Sequence, residues 1–291
     1  MPLQHLVEYF NDRFGREHHS GFRPFILEDD AVSGLFGPIR ISSIFTPLRE
    51  ALKPASIMGH TAQISVVPYE NQHLHSNDID NLITNPATKA ADFESIINFD
   101  RLCRTVHMLN YLPLAHFHGV LFLEVDPRHI LGIKQDHGAY FEEVIIRCGL
   151  ATKNVVIVMA VNNQYARYHH ELLKGLENYR RRGYQLALKF DYIVLENQSL
   201  ELIAKLLPNY VSLSARHLDR LRDSAMLAKL HKLRSLIAST GGKSIMRQID
   251  QKRPASLAWN TDFDLVQGSY YEQPSEPDID AEPARIKAQA N

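Results

Sequence analysis

The stretch VVIVMAV at residues 155–161 is a continuous apolar run rich in β-branched side chains. Such a run predicts a strand buried on both faces, because a strand with one face in water would alternate apolar and polar residues. The stretch VLFLEV at residues 120–125 has the same character. Amphipathic, helix-like segments separate runs of this kind, and this order predicts parallel strands covered by helices.

Working outward from these two runs gives eight candidate strands. A (β/α)8 TIM-like barrel needs eight, and the roughly 235 residues that they occupy suit its usual size of about 250 residues. A doubly wound open sheet is the alternative, since periodicity alone does not separate the two. The other six strands are predicted at residues 39–45, 57–67, 185–188, 210–213, 243–246 and 264–267, and helices at 93–109, 140–148, 165–182, 200–207 and 217–239.

The two ends of the chain differ from this central pattern. Residues 1–38 are predicted to form an N-terminal extension, with a short amphipathic helix over 3–14 and loop-like material up to Pro38. Residues 39–274 are assigned to the barrel. Residues 275–291 carry prolines and acids but almost no large apolar groups, so a disordered tail is expected there.

Composition narrows the class of protein. The 291 residues carry a net charge of −1 and the pI is about 7.0, which disfavours a globally basic nucleic-acid binder. No apolar run approaches the roughly 18 residues of a membrane-spanning helix, and the N-terminus does not resemble a signal peptide. Cys103 and Cys148 lie far apart with no metal-like spacing, as in proteins of a reducing compartment. We therefore expect a cytoplasmic protein without nucleic-acid or membrane partners.

Several segments occur in the order of a known family. VQGSYYEQP at residues 266–274 is similar to a closing Gln-Gly-x5-Pro motif, and Phe99-Asp100-Arg101 resembles a Leu-Asp-Arg signature in the first long helix. The opening strands, IFTPLREALKPASIMGHTAQISVV at residues 44–67, complete the pattern. The chain thus resembles the bacterial EAL domains, which hydrolyse cyclic di-GMP.

This resemblance implies a barrel whose first strand is antiparallel to the others. The link between Phe45 and Ile57 agrees, because it is too short for a helical crossover between parallel strands. The literal Glu50-Ala51-Leu52 does not correspond to the family motif, which falls by register on residues 59–63.

The resemblance also implies two divalent cations, held by carboxylates at the carboxyl ends of the strands, and a catalytic lysine. Hard cations need several anionic oxygens, and the matching positions supply few. We therefore predict a degenerate homologue that is not an enzyme, binds no metal or other cofactor, and is an unlikely partner for cyclic di-GMP. Ser65 also replaces a phosphate-binding arginine. The altered family positions are Thr61, Glu124, Met159, Lys189, Phe190 and Ser212.

Two further hypotheses concern charged residues. Lys189 and Glu124 are predicted to form a buried ion pair in place of the metals. A basic helix face is interpreted as a docking surface for an unknown protein partner, with a solvated face as the alternative; it comprises Arg216, Arg220, Arg222, Lys229 and Lys232.

The predicted function is a catalytically inactive, protein-interaction regulator in bacterial signalling of the motility or biofilm type. A homodimer is one assembly that we consider, and the sequence leaves the oligomeric state open. A non-hydrolysing cyclic di-GMP receptor is the first alternative, and a residual phosphodiesterase is the second.

Overall fold

The barrel strands form where the apolar runs predict them. The computed structural model describes residues 2–19, 21–69, 93–115, 119–133, 136–191, 197–216 and 226–272. Within these ranges the barrel strands are β3 (Ile39–Glu50), β4 (Lys53–Pro68), β5 (Val120–Val125), β6 (Val155–Val161), β7 (Gln185–Phe190), β8 (Tyr210–Ser214), β9 (Lys243–Arg247) and β10 (Leu265–Val266).

The sheet closes on itself. Strands β4 to β9 each pair in parallel with the next one along the chain, up to β10. Strand β3 pairs antiparallel with both β4 and β10 and completes the ring. This confirms the eight-stranded barrel with an antiparallel first strand and excludes the open sheet. The link between β3 and β4 is a tight turn at Ala51 and Leu52, with no helix.

Helices cover the outside of the barrel. The last of them was missed in the sequence because it is short and contains Pro254, which is tolerated in the first turn of a helix. The predicted helix over 217–239 is described only from Met226. The helices are α1 (Leu3–His18), α2 (Phe93–Ala115), α3 (Pro127–Gly132), α4 (Ala139–Arg147), α5 (His169–Arg181), α6 (Asn197–Leu206), α7 (Met226–Ser239) and α8 (Lys252–Asn260).

The N-terminal extension contains more than the predicted helix. Helix α1 is present, but the region up to Pro38 is not loop-like, because β1 (Phe25–Glu28) and β2 (Ala31–Phe36) form a hairpin that pairs with β3. Asp29 and Asp30 make its turn with φ of 48° and 60°. Positive φ at both central residues is typical of a two-residue hairpin turn. The sequence did not predict this turn, because Asp-Asp is not one of the dipeptides that signal it. The tail predicted over 275–291 lies outside the described residues.

Apolar side chains form two layers on either side of the barrel wall. The inner cluster fills the barrel and includes Leu48, Phe122, Val158, Ala187 and Ile245. A larger cluster fills the space between the strands and the helices. No helix among the described residues is long and apolar enough to cross a membrane.

Candidate functional site at the barrel mouth

The carboxyl ends of the parallel strands surround a small polar cavity, which we call the mouth. Its apolar floor is formed by the inner cluster, and polar side chains stand above it. The cavity measures about 90 Å³, room for a few water molecules but not for a dinucleotide. A large ligand would therefore lie across the rim. The polar residues that line the mouth are Thr61, Gln63, Glu124, Lys189, Ser212, Arg247, Gln248 and Gln267.

Lys189 and Glu124 meet at the mouth. Lys189 Nζ donates to Glu124 Oε2 over 2.6 Å, from β7 to β5 across the intervening β6. The side chains are 24% and 47% exposed, so the pair is not buried as predicted. Both residues stand near the strand ends, where the mouth opens to solvent. Solvent-exposed pairs contribute only about 0–1 kcal/mol, so this contact holds the lysine weakly.

Arg247 is the second cation of the mouth and ends β9. Its Nη2 donates to Asp191 Oδ1 over 2.5 Å and to the Phe190 carbonyl over 3.1 Å. Its Nε is buried and has no hydrogen-bond acceptor among the described residues. The guanidinium is thus held in place by one edge while one donor is unused.

Gln267, directly after the last barrel strand, forms hydrogen bonds with the first two barrel strands. Its Nε2 donates to Thr61 Oγ1 over 2.6 Å and to the Thr46 carbonyl over 3.2 Å. Thr61 in turn donates to Thr46 over 3.4 Å. The hydroxyl of Thr61, which the sequence predicts at a metal-ligand position, is therefore engaged in closing the barrel.

Two positions assigned from the sequence do not face the mouth. Met159 and Phe190 are 1% and 4% exposed and lie in the outer apolar layer. On the same strands, Val158 and Lys189 line the mouth. Successive side chains on a strand point to opposite faces, so the register predicted for β6 is corrected by one residue, and only the first of the two β7 positions points inward.

The residues present at the mouth do not fit a pair of divalent cations. Among the described residues no group of three or more His, Cys, Asp or Glu is placed to hold a metal ion. Glu124 is paired with Lys189. Asp250, in the loop after β9, accepts from Ser269 Oγ over 2.8 Å.

Sequence reasoning missed Arg247, Gln248 and Gln63 as mouth residues. The alternation of the strands could have found Arg247, since it stands two positions after the inward-facing Ile245. Gln248 has a φ of 59° and contacts Ser214 Oγ through its side-chain oxygen. No local pattern signals that conformation.

The predicted docking face is described only in part. Arg216, Lys229 and Lys232 are exposed, and the two lysines line a groove between α6 and α7. Arg220 and Arg222 lie outside the described residues. The docking role of this face stays a prediction.

Comparison with known proteins identifies the family. The EAL domain family model matches residues 74–274, which is more than half of the chain. The chain belongs to the EAL domain family. No curated protein sequence matches it.

Solved structures share its fold. The Bacillus subtilis YkuI protein, with an EAL domain in complex with cyclic di-GMP and calcium, is 18% identical with a TM-score of 0.62, over 81% of this chain and 56% of that one. A standalone EAL protein from Vibrio cholerae O395 bound to cyclic di-GMP is 15% identical with a TM-score of 0.61, over 81% and 92%. The PaMucR phosphodiesterase in complex with cyclic di-GMP is 12% identical with a TM-score of 0.63, over 81% and 97%. The chain thus spans little more than half of YkuI.

These comparisons contradict two of the predictions. The prediction that the chain is not an enzyme is wrong, because it matches the EAL family and resembles structures that include a phosphodiesterase. The prediction that cyclic di-GMP is an unlikely partner is also wrong, because the similar structures were solved with that nucleotide bound.

Proposed function

We propose that this chain is a cyclic di-GMP-binding signalling domain whose ligand lies across the mouth of the barrel. The observation that carries the proposal is the buried Nε of Arg247, which has no acceptor among the described residues, in a mouth that also presents Lys189 and the amides of Gln63 and Gln248. A phosphodiester accepts hydrogen bonds from such donors, and a side-chain amide both donates to and accepts from the edge of a guanine base. The family and the ligands of the similar structures support the same conclusion.

We also propose that the family's catalytic motifs are altered in this chain. Thr61, Glu124, Lys189 and Ser212 line the mouth, at positions where the resemblance implies metal-binding carboxylates, an asparagine and a lysine. Cytoplasmic signalling is the setting that we propose, and the free thiols of Cys103 and Cys148 support a reducing compartment.

Isothermal titration calorimetry of the full chain with cyclic di-GMP tests the proposal. We expect saturable binding of one nucleotide per chain, which an excess of GTP in the calorimeter cell does not prevent. Chromatography of the same samples, with magnesium or manganese present, measures turnover directly. No heat of binding at any accessible concentration of cyclic di-GMP would contradict the proposed function.

A further inference from the structure

Two cationic side chains line the mouth where the family resemblance implies metal ions. Lys189 and Arg247 are on β7 and β9, which are separated only by β8, and both border the same cavity. Neighbouring strands lie about 4.8 Å apart, so the two backbones are on the order of 10 Å apart across the barrel wall. One ligand lying on the rim can reach both.

The cations are less exposed than the acids that pair with them. Lys189 is 24% exposed against 47% for Glu124, and Arg247 is 11% exposed against 63% for Asp191. Solvent screens the more exposed charge of each pair more strongly. The potential inside the mouth is therefore set mainly by the two cations, which repels a divalent metal ion and attracts an anion.

The hydrogen bonds of Arg247 also orient its guanidinium group to bind an anion. Asp191 and the Phe190 carbonyl hold its Nη2, while its buried Nε has no acceptor among the described residues. Guanidinium donors form short, charge-assisted hydrogen bonds with phosphoryl oxygens. A ligand oxygen that reaches the Nε of Arg247 would satisfy a donor that has no acceptor in the described part of the chain.

Lys189 can be recruited without rearranging the barrel. An ammonium has three donors, and one of them points to Glu124. The pair is partly solvated, so a phosphoryl oxygen can share or replace the carboxylate. Glu124 then acts as a competitor of the ligand.

We propose that Lys189 and Arg247 hold the anionic groups of the ligand directly, so that nucleotide binding at this mouth needs no divalent metal ion. The inference rests on the proposed function and specifies how that site works. The positive charges of Lys189 and Arg247 take the place of the two metal ions that the family resemblance implies.

Calorimetry with cyclic di-GMP, in EDTA and in magnesium, tests the inference. We expect the same affinity in both buffers. Lys189→Gln and Arg247→Gln should each weaken binding about 10-fold or more in both, since each removes a charge-assisted bond. Lys189→Arg should retain most of the affinity. Lys205→Gln is the matched control, because it breaks an exposed Lys–Glu pair of the same 2.6 Å length on α6.

Glu124→Gln separates the two modes of binding. It should strengthen binding in EDTA, because it removes the competing carboxylate and leaves Lys189 free. A metal-dependent site would instead lose affinity with this substitution. Thermal unfolding of each variant reports whether it is folded, and Glu124→Gln and Lys189→Arg keep the test valid if Arg247→Gln does not fold.

The outcomes separate this inference from the proposed function. Binding that appears only with magnesium, or that Glu124→Gln abolishes, would overturn the inference while the proposed function stands. Absence of binding in both buffers would overturn the proposed function, and the inference with it.

Discussion

At the scale of single residues, the exposure of a charge pair decides what it contributes. A buried Lys189–Glu124 pair would cost about 3–5 kcal/mol when one partner is removed. The pair at the mouth is partly solvated, with side chains 24% and 47% exposed. Water therefore solvates the remaining charge when one partner is replaced. We expect the pair to affect ligand binding more than the free energy of unfolding.

This argument predicts a small coupling energy. Urea unfolding of Lys189→Met, Glu124→Gln and the double variant should give an interaction of less than about 1 kcal/mol. The exposed Lys205–Glu201 pair on α6 is the control, and its cycle should give a similar value. A coupling of several kcal/mol at the mouth, well above the control, would show that the pair is structural.

At the scale of elements, a buried network fastens α2 to the end of β5. Asp100 contacts Arg104 one turn later, and Asp100 Oδ1 accepts from the Asp126 backbone N–H over 3.3 Å. His129 on α3 lies 3.0 Å from Asp100 through Nδ1 and 3.1 Å from Arg104 through Nε2. Because arginine only donates, Nε2 accepts and the imidazole is neutral. Burial lowers the pKa of His129, in agreement.

Breaking this network should be costly. Asp100→Asn leaves the guanidinium of Arg104 buried without its counter-charge, and removal of one partner of a buried pair costs about 3–5 kcal/mol. Urea denaturation measures the loss. Asp12→Asn is the control, because Asp12 lies on α1 and forms an exposed ion pair with Arg23. This substitution should change stability by less than about 0.5 kcal/mol. Equal effects of the two substitutions would contradict this role.

The same network predicts a pH dependence. Burial alone would raise the pKa of Asp100, but Arg104 and then His129 outweigh it and lower the pKa from 3.8 to about 2. A depressed carboxyl pKa stabilises the fold above the unfolded value and loses that contribution as pH falls through the folded one. Stability of the wild type should therefore decrease between about pH 4 and pH 2 more steeply than that of Asp100→Asn, when both are followed by urea unfolding.

At the scale of the whole molecule, the closing Gln-Gly motif is explained by the way the ring is completed. Gln267 bonds residues of β3 and β4, the first two barrel strands. Gly268 follows with a φ of 155°, and a Cβ there would lie 2.1 Å from the Ile249 carbonyl oxygen. The loop after β9 therefore packs against bare backbone, and only glycine permits it.

Gly268→Ala should destabilise the barrel by about 1–3 kcal/mol or more, because the backbone of Ile249 must move. Thermal or urea unfolding measures the change. Gly21→Ala is the matched control, since nothing lies within 4 Å of the added methyl group and its φ is not strained. A barrel that accepts alanine at 268 as readily as at 21 would show that this close approach is not required.

The amino-acid sequence alone predicted the eight strands and, through the short link after Phe45, the antiparallel first strand, because periodicity and link length are local properties. It did not decide between a closed barrel and an open sheet, and the pairing of β3 with β10 decides it in the folded structure. The order of the motifs also led to the family. The hairpin over residues 25–36 was not predicted from the sequence, because its turn depends on backbone angles at Asp29 and Asp30 that the residue pattern does not reveal.

The mouth, in contrast, depended on the folded structure. The inward direction of Val158 rather than Met159 follows from strand register, and a shift by one residue reverses every side chain. The partial exposure of Lys189, and the absence of an acceptor for the Nε of Arg247 within the described ranges, arise from contacts between strands that are distant along the chain. Solvation of a charge is a property of its surroundings in three dimensions, and no local pattern encodes it.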